Sequence, residues 1–90
     1  MNKPQIEIPD DIKSIIQELF NTAKRINLGN VGFKYSLNGY NEVSIYIDEY
    51  KDHWECCIVT YIHQGSKQVR VLDVYHIDEY GIHYKESEID

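Results

Sequence analysis

Between Pro9 and Leu37 the chain reads PDDIKSIIQELFNTAKRINLGNVGFKYSL, and the apolar period changes once within it. Ile12, Ile15, Ile16, Leu19, Phe20, Ala23 and Ile26 follow one another at steps of 3, 1, 3, 1, 3 and 3 residues, with Lys13, Gln17, Glu18, Asn21 and Lys24 on the other side. A stripe of that spacing buries one face of an α-helix. Pro9 suits a first turn because its missing N–H is unpaired there anyway, and Asp10 and Asp11 offer capping oxygens and the charge that the helix dipole favours. Lys24 and Arg25 fall in the last turn, and Gly29 is the expected left-handed terminator. A helix is therefore predicted over 9–28. Past it, Val31, Phe33, Tyr35 and Leu37 alternate with Gly32, Lys34 and Ser36, the period of a half-buried strand.

The same period continues downstream. Asn38-Gly39 is a turn signal, and Val43, Ile45 and Ile47 alternate with Ser44, Tyr46 and Asp48. Asp48 to His53 is polar and reads as a loop. Trp54 to His63 is apolar, β-branched or aromatic almost throughout, as a central strand covered on both faces would be. Gln64 to Lys67 is a turn, Val69 to Ile77 a fourth strand, Asp78 to Gly81 another turn, and Ile82-His83-Tyr84 a short edge strand. Residues 1–8 form an extended lead-in, the sheet occupies 31–84, and the acidic tail 86–90 is expected to fray. The predicted fold is one α+β domain over 1–90, with an N-terminal helix packed on an antiparallel meander of four to five strands.

Composition supports a folded chain. Ile, Val, Leu and Phe make up 25 of the 90 residues, above the roughly 20% below which chains stay disordered. No apolar run approaches the ~20 residues of a membrane helix, and Met1 to Pro4 lead into polar sequence without a signal-peptide core, so a cytoplasmic protein is expected. The net charge of −6 is placed unevenly: residues 42–90 hold 11 acidic and 4 basic side chains. Such a surface repels phosphate, which argues against direct binding of nucleic acid or an anionic membrane, and it steers basic partners into contact.

Strand pairing can be anticipated from the turns. A short loop after Leu37 pairs Tyr35 with Val43 and Phe33 with Ile45. Pairing Ile45 with Cys57 and His63 with Val69 then gathers Val31, Phe33, Tyr35, Leu37, Val43, Ile45, Ile47, Cys57, Val59, Tyr61, Val69 and Val71 beneath the helix. A one-residue shift would exchange faces in part of the sheet. On this register Trp54, Ile58, Ile62, Leu72 and Val74 share an uncovered face. Such a patch is expected to pair with a second copy of the chain, to receive another protein, or to be covered by Tyr80, Ile82 and Tyr84.

Few residues suggest chemistry. Cys56 and Cys57 are adjacent, point to opposite faces of a strand and read as reduced packing residues. His53, His63, His76 and His83 lack metal-binding spacings, and no CxxC is present. His76 facing Cys56 would be the one Cys/His pair, without oxyanion donors nearby. His53, His76 and Asp78 would be the residues to bridge a metal. No catalytic residue, metal site or cofactor is assigned on this reading. Tyrosine is the conspicuous excess, with all 8 between Tyr35 and Tyr84. In this feature and in its acidity the chain resembles bacterial immunity proteins and phage-encoded inhibitors, a resemblance of composition that no motif carries. The stretch Asp48 to Glu55 and the turn Asp78-Glu79-Tyr80 should meet at one end of the sheet. Tyr46, Asp48, Glu49, Tyr50, Asp52, Trp54, Asp78, Glu79 and Tyr80 are the expected partner-binding rim, because tyrosine and tryptophan anchor interfaces and acids set association rate. The function expected is a protein-binding module, an inhibitor or immunity-type protein that blocks a basic nuclease or nucleic-acid-binding target. A homodimer is the alternative, and a small enzyme or metal protein comes third.

Overall fold

The computed structural model describes residues 3–36 and 41–90. Helix α1 (Asp10–Arg25) precedes β1 (Asn30–Tyr35), β2 (Val43–Glu49), β3 (Trp54–Gln64), β4 (Lys67–Asp78) and β5 (Gly81–Ile89). The strands form one antiparallel sheet in chain order, and α1 packs on one side of it, the α+β architecture that the change of period predicts. The expected Asn38-Gly39 turn and the inward position of Leu37 lie outside the described residues.

Pro9 is the N-cap rather than the first helical residue, and its carbonyl accepts the Ile12 and Lys13 N–H groups at 3.0 and 3.1 Å. Asp10 and Asp11 make no side-chain cap; they contribute charge at the positive end of the helix dipole. The C-terminus differs from expectation by two residues. Asn27, at φ 59°, is the left-handed residue, and the Leu28 N–H closes onto the Ala23 carbonyl at 2.9 Å. Asn tolerates that conformation, so the chain turns before it reaches Gly29. Ile16, Phe20 and Ala23 are buried and Ile12 and Leu19 flank them, whereas Ile15 and Ile26 stay exposed, so the buried stripe is narrower than the sequence pattern.

Pairing of β1 with β2 follows the predicted register, Tyr35 with Val43 and Phe33 with Ile45. The next two pairings do not. Ile45 lies opposite Ile58 rather than Cys57, and His63 opposite Gln68 rather than Val69. Gly65, at φ 65°, and Ser66 form a two-residue turn between Gln64 and Lys67, tighter than the expected loop. One residue of shift on each side turns β3 over while leaving β2 and β4 as predicted. β3 is apolar on both faces, so alternation alone could not orient it. The face under α1 (the inner face) therefore carries Cys56, Ile58 and Thr60, with Trp54 edge-on to Phe20 at 5.4 Å, in place of Cys57, Val59 and Tyr61.

The expected uncovered face is corrected accordingly. Ile58 is fully buried and Trp54 half-buried beneath α1, Ile62 lies at the exposed distal end of the inner face, and only Leu72 and Val74 belong to the outer face. There they adjoin Cys57 and Val59, with Tyr46 and Tyr61 exposed beside them. Nor does the C-terminal segment cover that face. Ile82 and Tyr84 pack inward, Tyr84 against Tyr75 at 5.7 Å. β5 runs to Ile89, so the predicted frayed tail is an edge strand. A bulge opposite Val74 and Tyr75 accommodates Lys85, and the end is held by the Asp90 N–H on the Arg70 carbonyl at 3.0 Å and by Arg70 Nε on Asp90 Oδ2 at 2.8 Å.

The lead-in completes the inner layer where α1 does not reach. Ile6 and Ile8 are part of the core. Fully buried Asp73 accepts the backbone N–H groups of Gln5 at 3.1 Å and Ile6 at 2.7 Å, and the Ser87 hydroxyl at 2.6 Å. Ser87 in turn is 2.7 Å from the Tyr84 hydroxyl, which donates to it because the Ser87 proton is already committed to Asp73.

Candidate functional site

In an antiparallel meander alternate connections emerge at the same end of the sheet. The β2–β3 and β4–β5 connections therefore lie together, with Trp54 paired to Ile77 and Asp78 to Gly81. Between them and the side of α1 is an open cleft of about 440 Å³, lined by Phe20, Lys24, Asp52, His53, Trp54, His76, Ile77, Asp78, Glu79 and Tyr80. Five of the nine predicted rim residues (Asp52, Trp54, Asp78, Glu79 and Tyr80) meet there. Tyr80 is 85% exposed and Tyr50, outside the cleft, 49%. Trp54 presents only part of its ring, since it is shared with the core. Tyr46 and Asp48 are on the outer face of β2 instead, opposite Cys57 and Glu55. Glu49 ends that strand, and its N–H bonds the Gly29 carbonyl at 2.8 Å.

Each connection is braced from within. The Tyr50 N–H bonds the His53 carbonyl at 2.8 Å, and the two rings stack 5.3 Å apart at 12°. Across the cleft Asp78 Oδ1 accepts the Tyr80 N–H at 2.8 Å and lies 3.0 Å from His83 Nε2, while Gln17 Nε2 donates to the Asp78 carbonyl at 2.9 Å, tying the turn to α1. The His83 hydrogen bond first, then the Tyr80 N–H, holds the Asp78 carboxyl below its ordinary range.

His53 is a hub that the sequence reading undervalued. Its Nδ1 is 2.7 Å from Asp52 Oδ1 and its Nε2 2.8 Å from Glu55 Oε2, and its ring centre is 4.9 Å from that of His76. Hydrogen bonding to Glu55, then to Asp52, raises the His53 pKa above that of a free imidazole. The same contacts lower Asp52 and Glu55. Lys85 Nζ stands 3.5 Å from Glu55 Oε2, so Glu55 has a second cationic neighbour. Glu55 and His76 are cross-strand partners on the outer face, a neighbourhood that arises only with β3 in its observed orientation. Asp78, expected beside His53 and His76, is instead engaged with His83. The signal available in the sequence was the His53-x-Glu55 spacing, which has meaning only once His76 is known to lie opposite.

The envisaged Cys56–His76 pair is not formed, because Cys56 pairs with Tyr75. Burial, first, pushes the Cys56 thiol up to about 12 and the Cys57 thiol up to about 11. Both are free thiols, one on each face. Among the described residues, no helix is long and apolar enough to cross a membrane. No protein family model, curated protein or solved structure matches this chain.

Proposed function

We propose that this chain is a non-enzymatic protein-binding module, an inhibitor or immunity-type protein whose acidic, aromatic rim docks on a basic surface such as that of a nuclease or nucleic-acid-binding protein. The observation that carries this reading is the convergence of Asp52, Asp78, Glu79 and Tyr80 from two separate connections on one open cleft, with Tyr50 exposed beside it. The tyrosines supply contact area with few rotors to immobilise, and the acids supply attraction at a distance. Asp48 and Glu49 add charge on the adjoining end of β2 rather than direct cleft contacts. Blocking of the target is steric and electrostatic. Free Cys56 and Cys57 suit a reducing compartment, which is consistent with action in the cytoplasm.

The test is capture of a basic partner from host lysate by the full chain, followed by association kinetics for wild type and the triple variant Asp48→Lys, Glu49→Lys, Asp52→Lys. The variant should associate at least tenfold more slowly and with a flatter salt dependence, within the range by which charge steering changes association rates. An unchanged on-rate to the captured partner refutes the reading.

A second reading, the homodimer, draws on one observation: among the described residues no second layer lies over the outer face, where Cys57, Val59 and Leu72 are half-buried, Tyr46 and Tyr61 are exposed, and Val74 alone of this group is buried. Patches of this kind are commonly interfaces. A monomeric mass by sedimentation equilibrium at high micromolar concentration eliminates it.

A further inference from the structure

The donor atoms of His53, Glu55 and His76 all lie within 4.8 Å of one another. Three donors spread that widely sit at most about 2.8 Å from a central point, so side-chain movements of under roughly 1 Å bring them to the 2.0–2.2 Å of zinc ligation. From this geometry we infer that His53, Glu55 and His76 form a binding site for a divalent first-row transition metal, zinc foremost.

Three features fit the assignment. The ligand set is two imidazoles and a carboxylate, the borderline donors that suit zinc, nickel or copper better than calcium or magnesium. His53 turns Nε2 towards Glu55 while Nδ1 lies 2.7 Å from the Asp52 carboxylate. That is the outer-shell hydrogen bond which metal-bound histidines characteristically make, fixing the tautomer and the ring plane. Two of the three ligands stand on paired strands of the sheet, Glu55 on β3 opposite His76 on β4, and His53 is held by stacking on Tyr50. The site therefore needs little ordering when the ion arrives. Three protein ligands leave a fourth position of a tetrahedral ion open to water or to a further ligand. Lys85 Nζ, 3.5 Å from Glu55 Oε2, is a built-in competitor that a metal must displace.

The experiment uses the full chain without an affinity tag, stripped with chelator, and Zn2+ alone as probe, titrated calorimetrically and against a chromophoric chelator. The expected result is one ion per chain with a Kd in the micromolar range or tighter. His53→Gln, Glu55→Gln and His76→Gln should each weaken binding at least tenfold, and Asp52→Asn by 10- to 100-fold, as expected for an outer-shell partner. Lys85→Met should tighten binding, an effect that a purely structural role of Lys85 does not produce. His63→Gln and His83→Gln should leave binding unchanged. Circular dichroism of each variant and long-range nitrogen spectra of the wild-type imidazoles, in which the His53 and His76 ring nitrogens alone should shift, keep the test independent of folding defects. Absence of saturable binding below 1 mM zinc, or binding that survives all three ligand substitutions, overturns the assignment.

Discussion

Asp73 offers the sharpest test of how this small domain holds together. It is a fully buried carboxylate on the inner face, and it receives three hydrogen bonds, two from the lead-in backbone and one from Ser87. Bonds to a charged acceptor contribute about 1.5–3 kcal/mol each, although three on one group are not additive. Asp73→Ala removes them all, strands the buried Ile6 N–H and releases the strap that seats Ile6 and Ile8 in the core. The expected loss is about 3–5 kcal/mol, a large part of the roughly 5–15 kcal/mol that stabilises a domain. With a urea m-value of about 1.5–2 kcal/mol/M the unfolding midpoint should fall by about 2 M. Ser87→Ala, which deletes one of the three bonds, should cost about 1–2 kcal/mol. The assay is urea unfolding followed by Trp54 fluorescence, with hydrogen exchange at the Ile6 amide as the local readout. That amide should be protected in the wild type and exchange freely in Asp73→Ala. A loss under about 1 kcal/mol with protection of Ile6 retained would falsify the strap.

Further outcomes follow from the packing and the cluster. A Cβ at Gly32 would stand 2.6 Å from the Ile45 carbonyl oxygen across β1 and β2. Gly32→Ala should therefore cost about 1–3 kcal/mol, visible as earlier unfolding and faster exchange in β1. Phe20→Ala removes a fully buried ring and its edge contact with Trp54; it should cost about 3–5 kcal/mol and change the native tryptophan emission. In the metal-free protein the His53 cluster makes stability depend on pH in a defined sense. The raised His53 contributes most below its unfolded value of about 6.5 and loses that contribution as pH rises through its folded value, whereas Asp52 and Glu55, held low, contribute above about 4 and lose theirs as pH falls through their folded values. The melting temperature of wild type minus that of Glu55→Gln should therefore peak between about pH 4.5 and 6.5, and a flat difference from pH 4 to 8 refutes it. With thiols pushed up to about 12 and about 11, Cys56 and Cys57 should resist alkylation at pH 8 in the native state and react after unfolding in urea.

Helix, strands, chain order and the acidic end of the sheet were legible from local pattern. The stripe from Ile12 to Ala23 and the alternations at Val31–Tyr35 and Val43–Ile47 each commit one face to the core, and period distinguishes helix from strand without tertiary information. The convergence of the Asp52 and Asp78 connections follows from counting strands in a meander. β3 was different in kind. Trp54 to Ile62 is apolar at nearly every position, so either face suits the core, and its orientation rested on how many residues the turns consume. The Tyr50–His53 connection takes four and Gly65-Ser66 two, and the contents of both faces of β3 follow from those two single-residue shifts, one on each side. The tail misled for a related reason. Glu86 and Glu88 read as a solvated end, but an edge strand can point its acids outward while Ser87 reaches in to Asp73. Local composition reports which residues tolerate water, and only tertiary pairing decides which of them become neighbours. His53, Glu55 and His76 are the clearest instance, because two of them join only through the β3–β4 register, a property of neither strand alone.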